Sequence, residues 1–313
     1  MPELDALQNP PSEQEPVQPA LGVWPSVNGS PAQLVLVSTP IGNLGDVTSR
    51  AISALRLADI VLCEDSRVTQ RLLFALGLKA RLESFHDHNE ESRTPRLLEA
   101  MRRGQKYALV SDAGTPLMSD PGFRLVRAAV AEGFGVTALP GPNAAVTALT
   151  LSGLPPHPYL FLGFPPPRGG ARRTAFAALR AAEAAGLSAS MIWYESPHRV
   201  AEMLADLQTV FGDRPAALAR ELTKHFEQVR RGPLSALIAG VEADPPRGEI
   251  CVVLGPHDPE AEGQPAFDLD ARLRDELTRT RLKEAVAQVA AETGLPRRQV
   301  YARALALSGE TEA

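Results

Sequence analysis

Between residues 34 and 139 the chain repeats one pattern: a short apolar run, a loop, then a stretch of helical period. The runs Leu34–Val37, Ile60–Cys63, Leu82–Phe85, Tyr107–Val110 and Val136–Leu139 have the length and character of buried strands. Between them, helices are expected from a Thr48 cap through Ala58, over Arg67–Leu76 with a stop near Gly77, over Pro95–Arg103 and over Phe123–Glu132. Strands that alternate with helices pair in parallel, because each connection must cross the sheet. The pattern therefore predicts an α/β fold with a mostly parallel sheet.

After Leu154-Pro155-Pro156-His157-Pro158, whose prolines stop both helix and sheet, a second α/β unit is expected. Its strands are Tyr159–Gly163, Ser190–Tyr194, Ala216–Ala219, Phe226–Arg230 and Glu249–Leu254, and its helices Thr174–Ala185, Val200–Phe211 and Leu234–Ala239. Residues 1–33, with seven prolines and little periodicity, are expected to be a disordered leader. The expected organisation is then domains 34–153 and 154–256, a linker 257–267 and a helical module 268–308. In that module Leu282, Ala285, Val286, Val289 and Ala290 recur at helical spacing, Gly294 ends the helix, and a second helix runs from Pro296 to Leu307. The pair has the small and apolar turn positions of a helix-turn-helix, and Arg297, Arg298 and Arg303 make it basic. RNA or ribosome contact and plain packing or dimer support both remain open for it.

A net charge of −5 taken alone argues against nucleic acid, but its distribution does not. The leader holds four acids and no base, and residues 257–270 hold five acids. Residues 34–256 carry 24 bases against 22 acids, and 271–307 carry 8 against 4, so the body is mildly basic. Cys63 and Cys251 lie far apart in apolar runs, which fits a reducing compartment rather than a disulfide framework. Residues 133–167 contain no Asp, Glu, Lys or Arg, yet recurring prolines and glycines forbid a spanning helix. The beginning of the chain lacks the pattern of a signal peptide. A soluble, cytoplasmic protein with no membrane partner is expected.

The chemistry is expected where strands end. Ser38-Thr39-Pro40-Ile41-Gly42-Asn43-Leu44 follows the first strand, Ser111-Asp112-Ala113-Gly114-Thr115-Pro116 the fourth, and Pro140-Gly141-Pro142-Asn143-Ala144 the fifth. Small-residue loops at the carboxyl ends of parallel strands form a crevice in which backbone groups approach a ligand closely. Neither GxGxxG after a strand nor GxxxxGK[ST] occurs, which disfavours a dinucleotide oxidoreductase and a P-loop NTPase. His86-Asp87-His88 resembles a pair of metal ligands, but no further His or Cys lies nearby, so a polar loop at the rim and no metal are expected. Arg168-Gly169-Gly170-Ala171-Arg172-Arg173 is read either as a mobile basic loop that grips an RNA backbone or as a solvated helix start.

These loops, with Cys63-Glu64-Asp65-Ser66-Arg67, Ser119-Asp120-Pro121-Gly122, Gly163-Phe164-Pro165, Tyr194-Glu195-Ser196-Pro197-His198-Arg199, Arg220-Glu221-Leu222-Thr223-Lys224 and Gly248-Glu249, resemble the tetrapyrrole-methylase superfamily from about residue 34 to 307. Ser38 and Ser66 stand where that superfamily usually has Gly and Thr. Thr39-Pro40-Ile41-Gly42-Asn43-Leu44 and Glu64-Asp65-Ser66-Arg67 are similar to its RNA-modifying branch rather than to its small-molecule branch. The resemblance implies a two-domain fold with an S-adenosylmethionine cleft between the domains. It further implies methylation of a cytidine ribose 2′-hydroxyl in the decoding region of 16S rRNA, on the assembled 30S subunit and by a homodimer, with no DNA partner. Pro40, Asp112, Ala113, Gly114, Thr115, Pro140, Gly141 and Ala144 are the expected cofactor residues.

A ribose hydroxyl is a weak nucleophile, so positioning, a dry site and a general base would serve the transfer. Glu64, Asp65, Arg67, Glu195, Arg199 and Lys224 are the expected catalytic set, with His86, His198 and Glu221 as further bases or orienters and Arg220 as a further phosphate ligand. Structural ion pairs compete with each of these roles, above all for Glu195 and Arg199 at i,i+4. A tetrapyrrole methyltransferase and a non-catalytic ribosome-binding factor are the alternative functions.

Overall fold

The computed structural model describes residues 22–257, 269–293 and 297–310. They divide into two compact units, one ending at Pro256 and one beginning at His257.

The first unit contains strands β1 (Ser26–Val27), β2 (Ser30–Pro31), β3 (Leu34–Val37), β4 (Ile60–Cys63), β5 (Leu82–Ser84), β6 (Tyr107–Val110), β7 (Val136–Leu139), β8 (Tyr159–Phe161), β9 (Ser190–Glu195), β10 (Pro215–Arg220), β11 (Gln228–Pro233) and β12 (Ile250–Leu254). Its helices are α1 (Ser49–Leu57), α2 (Ser66–Ala75), α3 (Asp87–Arg102), α4 (Phe123–Ala131), α5 (Ala144–Ser152), α6 (Gly169–Ala184), α7 (Val200–Phe211) and α8 (Leu234–Ala243). The second unit contains α9 (Leu269–Arg279), α10 (Leu282–Thr293) and α11 (Arg297–Glu310).

The first sheet is parallel in the order β5-β4-β6-β3-β7. Its register aligns Val37 with both Val110 and Leu139, so the loops after β3, β6 and β7 emerge side by side. The second sheet runs β11-β10-β12-β9-β8, and only β8 and β9 are parallel. There Ile250 lies opposite both Glu195 and Arg220, which brings the ends of β9 and β10 to the start of β12.

Strand alternation divides the second sheet's core. Met191, Trp193, Leu218 and Val252 face helices α6, α7 and α8 through Phe176, Met203, Leu207, Phe211 and Leu234. On the opposite face, Ile192, Ala217, Cys251 and Val253 pack against Ala145, Ala148 and Leu149 of α5, and against Ile41. Residues that follow the first sheet in sequence therefore close the core of the second. The two sheets lie within one compact unit.

Two local expectations are corrected and one open alternative is decided. Residues 26–31, expected within the disordered leader, form a hairpin whose Trp24 indole donates to Ala32 O at 2.7 Å; residues 1–21 lie outside the described residues. Helix α3 begins at Asp87, not at Pro95, which sits inside it. His86 precedes its first turn, where the Asn89 carboxamide accepts from the His86 amide at 3.0 Å. The buried Glu90 then reaches α4, whose cap residue Gly122 has no side chain, and accepts from the amides of Arg124 and Leu125 at 2.8 and 3.2 Å. Residues 169–173, read either as a mobile basic loop or as a solvated helix start, are the first turns of α6. Arg172 is buried there against Asp206 of α7 at 2.6 Å, with Arg173 on the same carboxylate at 3.0 Å.

In the second unit, Leu273, Val286, Val289, Ala290, Val300, Ala304 and Leu307 form a small core among three helices, one more than expected. The expected stop at Gly294, residues 258–267 of the expected linker and residue 268 lie outside the described residues. Among the described residues, no helix is long and apolar enough to cross a membrane.

Candidate functional site

The carboxyl ends of the first sheet and the β9–β10–β12 ends of the second line one cavity of about 380 Å³. That volume lies in the range of small-molecule sites. Asp112, Ala113, Gly114, Thr115 and Ala144 line it from the first half, together with Ile41 and the 118–120 turn. Phe164, Tyr194, Glu195, Leu222 and Gly248–Cys251 line it from the second.

The floor is held by short polar side chains and backbone. Thr39 and Gly114 exchange both amide hydrogen bonds, at 2.9 and 3.1 Å, and the Thr39 hydroxyl donates to Ser111 O at 3.2 Å. The Thr115 hydroxyl donates to Pro142 O at 3.0 Å, which ties the second loop to the third. Gly114 has φ +82°, and a Cβ there would press on Ile41 at 3.2 Å, so this floor requires glycine. Ala144 opens α5 behind the Asn143 cap, whose carboxamide accepts from the Val146 amide at 3.0 Å.

Of the residues expected from sequence to hold a ligand, Asp112 through Thr115 and Ala144 line this cavity, whereas Pro40, Pro140 and Gly141 do not. Gly141 stands behind the wall, where a Cβ would meet the Ser38 Cβ at 2.7 Å. Among the expected catalytic residues, Glu195 alone lines the cavity. Its side chain is 0% exposed, and one oxygen takes Arg199 at 2.6 Å and the Ser196 amide at 2.8 Å. Its Oε2 is buried with no partner. Arg199 is drawn off by that pair. Lys224 lies one contact away, bridging Glu221 at 2.9 Å and the cavity residue Glu249 at 3.0 Å.

Glu64, Asp65 and Arg67 border a second, open concavity with Ser84, His86 and His88, and Asp112 belongs to both. Asp65 caps α2, and the guanidinium and amide of Arg67 hold its carboxyl down to about 2. Such an acid is a poor proton acceptor near neutrality. Lys224 likewise holds the Glu221 carboxyl below its ordinary value. Arg67 has an 83% exposed side chain and lines the open concavity. No group of three or more potential metal ligands occurs among the described residues.

Asp120 is not singled out by sequence reasoning within Ser119-Asp120-Pro121-Gly122. It lines the cavity, and burial together with the charges of Glu64, Asp112 and Asp87 pushes its carboxyl up to about 7. Two neighbours are raised as well: Asp112 by burial and the Asp65 charge, and Glu64 by burial and the charges of Asp112 and Asp87. The cavity wall thus carries Asp112, Asp120, Glu195 and Glu249 and no Lys, Arg or His. Such a wall favours a small ligand that carries positive charge.

A family model described as Tetrapyrrole (Corrin/Porphyrin) Methylases matches residues 33–238, and one described as RsmI C-terminal HTH domain matches 264–308. Curated proteins named ribosomal RNA small subunit methyltransferase I are similar over most of their length. The one from Micromonospora olivasterospora is 49% identical, covering 86% of this chain and 85% of its own. The one from Mesorhizobium japonicum is 45% identical over 88% and 94%, and that of Escherichia coli O157:H7 is 42% identical over 91% and 98%. Among solved structures, a diphthine synthase covers 71% of this chain and 89% of its own, with a TM-score of 0.55 at 16% identity. A cobalt precorrin-4 methyltransferase covers 71% and 94%, with a TM-score of 0.50 at 19% identity. These two share the fold.

Proposed function

The chain belongs to the tetrapyrrole methylase family and, within it, to the ribosomal RNA small subunit methyltransferase I group; on that footing we propose how it acts. It transfers a methyl group from S-adenosylmethionine to a cytidine ribose 2′-hydroxyl in the decoding region of 16S rRNA. It does so as a cytoplasmic homodimer on the assembled 30S subunit. The observation that carries this reading is the base-free, acid-lined cavity at the carboxyl edge of the parallel sheet.

The residues fit the cofactor. A sulfonium and an ammonium are cationic, and the four carboxylates complement them. The unpartnered, buried Glu195 Oε2 needs a hydrogen-bond donor, which the cofactor's ammonium or hydroxyls offer. Gly114, Ala113, Ala144 and Ala219 leave room for close approach of the nucleoside, with the exposed Phe164 ring at the mouth. When bound, the cofactor supplies an electrophilic methyl that needs little activation.

The protein's share is to orient the hydroxyl, exclude water and accept its proton. Asp112 borders both concavities, so a ribose entering past Glu64, His86 and Arg67 reaches the cavity at Asp112. Arg67 suits an RNA phosphate there. The test is mass mapping of ribose methylation on 30S subunits from a strain lacking this protein, incubated with purified protein and S-adenosylmethionine. A new 2′-O-methylcytidine in 16S rRNA is the expected result. Methyl on a base only, or methyl transfer to a porphyrinogen and none to RNA, overturns it.

A further inference from the structure

We propose that the solvent face of α2 carries the RNA strand that flanks the target nucleotide, with Arg67 and Arg71 on phosphates and Phe74 stacked on a base. The inference rests on the methyltransferase reading above and names the surface along which its substrate lies.

Helix α2 starts at the open concavity. Asp65 caps its first turn, and Ser66 and Arg67 border the concavity itself. With about 100° of rotation per residue, Arg67, Gln70, Arg71 and Phe74 fall on one side of the helix. All four are exposed, whereas Thr69 and Leu73 on the other side are buried. The stripe from Arg67 to Phe74 is about 10 Å long at the helical rise. A strand that enters the concavity therefore continues along α2.

Charge decides the kind of partner. From Ser66 to Leu82 the chain holds Arg67, Arg71, Lys79 and Arg81 and no acid. Asp65 grips the Arg67 guanidinium at 2.6 and 3.0 Å, which fixes its direction at the concavity. Arg71, Lys79 and Arg81 enter no side-chain hydrogen bond or ion pair among the described residues. Exposed arginines of the neighbouring helices are matched by carboxylates instead, Arg102 by Glu132 and Arg124 by Glu91. An acid-free cationic stripe attracts a polyanion and repels a second copy of itself.

The ring decides which polyanion contact is made. Phe74 is 86% exposed and touches no other ring among the described residues. Beside it, Ala75 is the other exposed apolar residue of α2, far less apolar surface than a protein interface needs. Cations on the backbone with an aromatic face between them are how single-stranded RNA is held, because every base offers a face to stack.

The test is steady-state methylation of 30S subunits between about 50 and 200 mM salt, with calorimetric S-adenosylmethionine binding and light scattering beside it. Arg71 and Phe74 are exposed and stand outside the cavity, so their variants should melt with the wild type. Arg71→Ala should raise KM for 30S several-fold at unchanged kcat, and should reduce the slope of log kcat/KM against log salt by about 0.7 to 1. Phe74→Ala should raise KM about tenfold and leave that slope unchanged. Phe74→Trp should keep the wild-type KM, and Phe74→Leu should behave like Phe74→Ala. Cofactor affinity and particle size should match the wild type throughout. A wild-type KM in Phe74→Leu points to an apolar protein contact and overturns the proposal. A smaller particle in Phe74→Ala points to a second copy on this face and overturns it too. Absence of ribose methylation by the wild type overturns the methyltransferase reading and this inference together, whereas wild-type KM and salt slope in Arg71→Ala with Phe74→Ala combined overturn only the inference.

Discussion

Gly248 shows how tightly single positions are set around the cavity. It has φ +80°, and a Cβ there would fall inside the Glu221 carboxylate, which accepts from the Glu249 amide at 3.2 Å and from Lys224. Gly248→Ala must strain the backbone and push Glu221 off Lys224 at once. The expected loss of stability is roughly 1–3 kcal/mol, read as a lower urea midpoint at unchanged slope; a neutral substitution would show that the turn yields. Several residue-scale features were legible because they depend on local spacing. The Thr48 hydroxyl caps α1 by accepting from Ala51 at 3.1 Å, and Glu195 meets Arg199 across the i,i+4 step. Asp120 was not singled out, because its signal lies in the left-handed Leu117 and Ser119, and nothing in a leucine or serine advertises that backbone.

At the scale of elements, the α6–α7 pair depends on one buried carboxylate. Asp206 neutralises Arg172, whose side chain is 2% exposed, while Arg173 approaches the same group from solvent. Asp206→Asn leaves a buried guanidinium facing only Glu202 at 3.4 Å. About 3 kcal/mol should be lost in chemical denaturation, whereas Arg173→Ala should cost under about 1 kcal/mol because its charge is half in water. Equal effects of the two would refute this division. The basic run 168–173 was ambiguous in sequence for the same reason: its partner lies 34 positions away on another helix. Pro95 misled differently. It is a good first residue of a helix, yet tertiary contacts through Glu90 and the Asn89 cap extend α3 upstream of it. Helix α5 gave little sign of itself, since its apolar residues lie all round it and mark out no single face.

For the molecule as a whole, strand alternation was enough to place the three loops after β3, β6 and β7 at one edge, because parallel strands share a carboxyl end. It could not show that the second sheet is mainly antiparallel, nor that Ile41 and α5 cross over to complete its core. The hairpin β1–β2 adds a property of its own. It packs beside the start of β7, an outermost strand of the parallel sheet, and a Cβ at Gly135 would meet Ala32 at 3.3 Å and Val27 at 3.6 Å. An uncovered outer strand offers its unpaired amides and carbonyls to any other chain. The segment guards against promiscuous strand addition between molecules. A chain lacking residues 1–31 should therefore grow into particles beyond the size of the full-length protein when light scattering is followed at rising concentration, and its remaining core need not unfold for this to happen.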